Sequence, residues 1–118
     1  MLKIAVFVSG GGTDLQSIID AAKAGDINVD IRVVISNRKN AYGLERARLA
    51  GIRAEHIKDE DLIIQTLQEE GVELIVLAGY LAIISERLIN LYPNKIMNIH
   101  PSLIPSFCGP GFYGLHVH

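Results

Sequence analysis

Along residues 3–99, short β-branched apolar runs alternate with stretches of helical period, and this alternation constrains the fold more than any other feature. Lys3–Ser9 (KIAVFVS) is continuous and apolar, which suits a strand covered on both faces. Gly10-Gly11-Gly12 breaks it, and Thr13 or Asp14 can cap the helix that follows. In that helix Leu15, Ile18, Ile19 and Ala22 share one face, and Gly25 ends it. Asp30–Ile35 predicts a second strand, Ser36–Asn40 a polar loop, Tyr42–Ala50 a helix closed by Gly51, and Arg53–Ile57 a third, weaker strand. Asp59-Glu60-Asp61 puts acids at the N-terminus of a helix that runs to about Glu70 and ends at Gly71. Glu73–Ala78 is a fourth strand, Ser85-Glu86-Arg87 opens a short helix that stops before Pro93, and Lys95–Ile99 is a fifth strand.

Buried strands that alternate with helices make a mostly parallel sheet covered on both faces, an α/β, Rossmann-like, doubly wound architecture. Ligands of such sheets sit beyond the carboxyl ends of the strands. Three loops belong there: Ser9–Asp14, Gly79–Ile84 and Asn98–His100. Apolar residues form 49% of the 118, enough for one domain with its own core, so residues 1–118 read as a single unit. Residues 100–118 hold three of the four prolines, with Gly109, Gly111 and Gly114, and show neither period. They read as an irregular active-site loop segment, with the domain incomplete at its C-terminus after about five strands. A sheet that stops there has a bare edge, which predicts a homodimer or swapped assembly.

The formal net charge is −2, with acids and bases interspersed, no Trp, and aromatics at 6%. Neither a nucleic-acid surface nor a base-stacking platform follows from this. The lone Cys108 allows no internal disulfide and reads as a passive residue in a reducing cytoplasm. No signal peptide is visible and no apolar run approaches membrane-spanning length, so no membrane partner is expected. His56 reads as a strand-end residue and Glu69-Glu70 as a solvated face. His100, His116 and His118 could be weighed as metal ligands, but His116 and His118 lie beside Gly114 at a chain end, so no metal is expected.

Two features carry chemistry. A glycine-rich turn between a first strand and a first helix presents backbone N–H groups and a helix dipole to an anion. A nucleotide P-loop would need a Lys that is absent, and a dinucleotide fingerprint would need a glycine where Leu15 stands and an acid where Ser36-Asn37 end the second strand. A phosphomonoester fits better. Asn98 and His100, two apart on a strand, point to one face. The amide can donate to a developing oxyanion and the imidazole can move a proton near neutral pH, which suits acyl or formyl transfer.

The run Asn98-Ile99-His100-Pro101-Ser102-Leu103-Ile104-Pro105, after Leu77-Ala78-Gly79-Tyr80, resembles the folate-dependent formyltransferases. With Ser9–Gln16, Ser36-Asn37 and Ala41–Ala47, the resemblance covers nearly the whole chain and is to the branch that formylates glycinamide ribonucleotide. It implies the formyltransferase fold and formyl transfer from the co-substrate 10-formyltetrahydrofolate to phosphoribosylglycinamide, in purine synthesis. It also implies roles. Gly12, Thr13 and Asp14 would hold the phosphate; Leu81, Ala82, Ile83 and Ile84 would line the pterin pocket, with backbone groups free to bond its edge. Asn98 would polarise the formyl oxygen beside the folate, His100 would serve as the proton donor, and Gly79 and Pro101 would lie where the substrates meet. Lys58–Asp61 lacks an arginine that some relatives direct at folate, and Ala82 replaces a basic residue found in some. Relatives continue further and carry an aspartate that sets the histidine, so the chain as it stands is expected to be inactive. Alternatives are a sibling folate formyltransferase, a formyltetrahydrofolate hydrolase, or a non-catalytic phosphate-binding module.

Overall fold

In the first strand, β1 (Leu2–Val8), successive side chains face opposite sides and all of Ile4–Val8 is buried. Ile4, Val6 and Val8 pack with Leu15 and Ile19 of helix α1 (Thr13–Ala24) and with Leu44 and Ala47 of α2 (Tyr42–Leu49). Ala5 and Phe7 pack instead with Ile63, Ile64 and Leu67 of α3 (Glu60–Glu69) and with Leu88 of α4 (Glu86–Leu91). One strand thus serves two cores, which is why its sequence is apolar without alternation. The computed structural model describes residues 1–99 and the backbone of 115–117.

The remaining strands are β2 (Val29–Ser36), β3 (Arg53–His56), β4 (Leu74–Leu77), β5 (Ile96–Ile99) and β6 (Leu115–Val117). The sheet order is β3-β2-β1-β4-β5-β6. The first five strands pair in parallel, with helices on both faces, as the alternation predicts. β6 pairs antiparallel with β5, setting Asn98 opposite His116. Residues 100–118 are therefore not irregular throughout. A three-residue run is too short to show a period, so the sequence hid it. The pairing moves that edge of the sheet from β5 to the three-residue β6.

Asp59 and Ser85 cap α3 and α4, accepting from the N–H groups of Leu62 and Leu88 at 3.1 Å each. α1 departs from expectation. Its cap is Gly12, left-handed at φ 77°, rather than Thr13 or Asp14, and no side chain caps it. Glu70 is no mere solvated acid: it accepts from Arg32 at 3.2 Å and Arg53 at 2.9 Å, and Arg53 also reaches Glu55 and Glu69. The Arg53 guanidinium holds the Glu70 carboxyl below its usual range. This network lines the short outer strand β3, where charge discourages edge pairing. Among the described residues no helix is long and apolar enough to cross a membrane.

Candidate functional site

The chain lays β2 and β3 to one side of β1, then crosses to place β4 on the other. The loops leaving β1 and β4 diverge there, opening a crevice at the carboxyl ends of the strands. Register fixes what stands at its mouth. Phe7 pairs with Leu77, and Leu77 pairs with Asn98, so the three form one row across β1, β4 and β5. At the usual strand spacing, Asn98 lies about 10 Å from Phe7 across that row. Ser9 and Gly79 each follow the row by two residues, so the glycine loop, the β4 exit and the Asn98 end converge.

Gly12 is the glycine the first loop requires. Beyond its positive φ, a Cβ there would lie 2.6 Å from the Gly43 Cα. Gly43, in turn, has room for no side chain, since its Cβ would meet Val8 Cγ2 at 2.9 Å. Two glycines thus let α2 press against the loop. The Gly12 carbonyl accepts from the Gln16 N–H at 2.8 Å and starts α1. The N–H groups of Thr13, Asp14 and Leu15 precede that first helical bond and face the helix mouth without a side-chain cap. Thr13 is exposed and Asp14 is partly buried, and burial pushes the Asp14 carboxyl pKa up. A raised carboxyl pKa disfavours the carboxylate, which is the direction that suits a nearby anion.

Ser9 was only a loop residue by sequence, yet it joins three loops. Its buried Oγ donates to Asn37 Oδ1 after β2 and accepts from the Leu81 N–H at 2.8 Å after β4. The Leu81 N–H is therefore not free for a heterocycle edge, contrary to expectation. Gly79, at φ 72°, turns the chain into this segment. Ala82, Ile83 and Ile84 line a pocket of about 300 Å³ with Phe7, Tyr80 and Leu88; Leu81 does not line it. The Tyr80 ring meets Phe7 edge-on at 5.1 Å, and burial pushes the Tyr80 phenol pKa up. Ile83 is 94% exposed and Leu81 71%, apolar surface that a flat ligand could cover. Ser9→Ala strands the Leu81 N–H and frees Asn37, so stability should fall by about 1–3 kcal/mol in denaturant unfolding. Unchanged stability together with unchanged Leu81 amide protection would refute the joint.

Asn98, one residue before the end of β5, is half-buried. His100, Pro101 and Cys108 lie outside the described residues, as do His118 and the side chain of His116, so the metal reading lies there too. Among the described residues no group of three His, Cys, Asp or Glu could hold a metal. One feature escaped sequence reasoning. A cleft of about 690 Å³ beside the glycine loop is lined by Arg38, Lys39, Lys58 and His56, with no carboxylate in its wall. Its cations come from two loops separated in sequence, and Lys58 is followed there by Asp59-Glu60-Asp61.

The formyl transferase family model matches residues 2–118. The phosphoribosylglycinamide formyltransferase of Haemophilus influenzae is 45% identical over 96% of this chain and 58% of its own length. The crystal structure of glycinamide ribonucleotide transformylase 1 from Symbiobacterium toebii superposes with a TM-score of 0.80 at 43% identity, over 95% of this chain and 56% of that one. A formyltetrahydrofolate deformylase from Pseudomonas putida is more distant, with a TM-score of 0.75 and 27% identity, over 84% of this chain and 38% of that one. The chain thus spans somewhat more than half the length of the first two.

Proposed function

We propose, because the chain belongs to the formyl transferase family, that it carries the phosphate anchor, the pterin wall and the oxyanion donor of an enzyme that formylates phosphoribosylglycinamide. The donor is 10-formyltetrahydrofolate. The row Phe7–Leu77–Asn98, which brings the glycine loop and Asn98 to one crevice, is the observation that supports this most. In this reading Gly12, Thr13 and Asp14 seat the ribonucleotide phosphate on the open end of α1. Ala82, Ile83 and Ile84 bound the pterin through the pocket they share with Phe7, Tyr80 and Leu88. Gly79 and Pro101 stand where the two substrates meet.

The substrate amine attacks the formyl carbon, and the carbonyl π pair moves onto oxygen. Asn98 donates an amide N–H to that oxyanion. His100, two residues on, takes the proton leaving the attacking amine and returns it to the folate nitrogen as the carbon–nitrogen bond to the donor breaks. Seating both substrates in one crevice supplies orientation, a large share of such rates.

The decisive assay, on a full-length enzyme that carries these residues, follows 10-formyltetrahydrofolate with and without phosphoribosylglycinamide. Deformylation of the folate should require the amine, and the formyl group should appear on it. Equal release of formate without the amine would instead favour a hydrolase. A protein that binds phosphate but leaves the folate unchanged under both conditions would favour a non-catalytic module.

A further inference from the structure

Three consecutive glycines leave Gly10–Gly12 the most conformationally free stretch of the chain, and ordering such residues is costly. An anion cradle built from them needs an external template. That template is α2. The Gly43 N–H donates to the Gly10 carbonyl at 3.0 Å, and Arg46 Nε donates to the Gly11 carbonyl at 2.6 Å. The peptide bonds are trans, and across a trans peptide the carbonyl and the next N–H point in opposite directions. With both carbonyls drawn toward α2, the N–H groups of Gly11 and Gly12 point to the far side of the loop. Drawing the carbonyls back also removes their negative ends from that side. Arg46 is itself held in place: Nη1 donates to Gln16 Oε1 of α1 at 3.3 Å, and the guanidinium lies over the Tyr42 ring, 5.1 Å from its centroid.

We propose that Arg46 is the positioning residue of the anion loop, setting the orientation of the Gly11–Gly12 peptide through the Gly11 carbonyl without needing to touch the anion. The proposal rests on the reading of Ser9–Asp14 as a phosphate anchor. It assigns a specific task to an arginine that by sequence is only one member of the Ala41–Ala47 run. It also explains why two glycines face each other at Gly12 and Gly43: side chains there would push α2 out of reach of the carbonyls.

The test uses inorganic phosphate as the probe, followed by calorimetry, with the Gly11 and Gly12 amide resonances read in the absence of phosphate. Arg46→Ala should weaken phosphate about tenfold, the scale of one charge-assisted hydrogen bond, and should move both amide resonances before any anion is added. Arg46→Lys, which keeps a donor, should recover at least part of that loss; it also serves if the alanine variant does not fold. Arg48→Ala removes the same charge from the same helix, where among the described residues Arg48 pairs only with Glu45, and should change neither readout. Wild-type phosphate affinity and unmoved Gly11 and Gly12 resonances in Arg46→Ala would overturn the proposal, as would an equal loss in Arg48→Ala. Absence of phosphate binding by the wild-type protein would overturn the anchor reading, while the unliganded amide resonances would still decide the role of Arg46.

Discussion

In a full-length enzyme that carries these residues, Asn98→Ala is expected to lower formyl-transfer turnover by about 10²- to 10³-fold, the usual effect of removing one oxyanion donor. Substrate affinities should stay within about twofold, because the charge that Asn98 meets exists only once the amine has attacked. The fold should survive. Asn98 belongs to the sheet through its backbone, between Leu77 of β4 and His116 of β6, and its side chain is only half-buried. Asn98→Asp sharpens the test: it keeps the shape but replaces the donor with acceptor oxygens and adds a negative charge facing the oxyanion, so it should be at least as damaging. Single-turnover rates set beside directly measured affinities separate the two effects. Wild-type turnover in Asn98→Ala would remove Asn98 from the mechanism. A loss confined to affinity would make it a binding residue.

Features written in local period were legible from the amino-acid sequence, and features made by distant partners were not. The doubly wound sheet could be read because the inner strands carry continuous apolar runs, Ile4–Val8, Val33–Ile35 and Leu74–Ala78, as strands with two covered faces must. Asn98 stood out because it shares a short motif with His100. The α1 cap was misplaced because cap preferences favour Thr13 and Asp14 by side chain, whereas the turn is made by the left-handed backbone of Gly12. Ser9 gave no signal because its partners Asn37 and Leu81 are 28 and 72 residues away. Glu70 looked solvated because Arg32 of β2 and Arg53 of β3 reach it at the end of α3 only in the folded chain. The basic cleft is invisible to net charge because Arg38, Lys39 and Lys58 meet only after β2 and β3 have paired. In each case the missing information was tertiary proximity.

The second large effect separates three residues that look alike in sequence. Gly12→Ala should destabilise the protein by about 2–5 kcal/mol. A left-handed conformation costs a residue with a Cβ about 1–2 kcal/mol, and forcing that Cβ into packed backbone adds about 1–3 kcal/mol. Here the obstacle is the Gly43 Cα at 2.6 Å, which belongs to α2 and cannot swing aside as a flexible side chain would. The escape open to the variant is to lift α2 from the loop, and that breaks the bonds from Gly43 and Arg46 to the Gly10 and Gly11 carbonyls. Phosphate affinity should therefore fall with stability. Gly10→Ala and Gly11→Ala should behave differently. Neither residue takes a positive φ, and neither Cβ would meet a described atom within 4 Å, so each should shift stability by less than about 1 kcal/mol in either direction. Denaturant midpoints of the three variants, measured side by side, decide the matter. Equal midpoints would mean that the loop is not shaped by the contact between Gly12 and Gly43, and the account of α2 as its template would fall with that result.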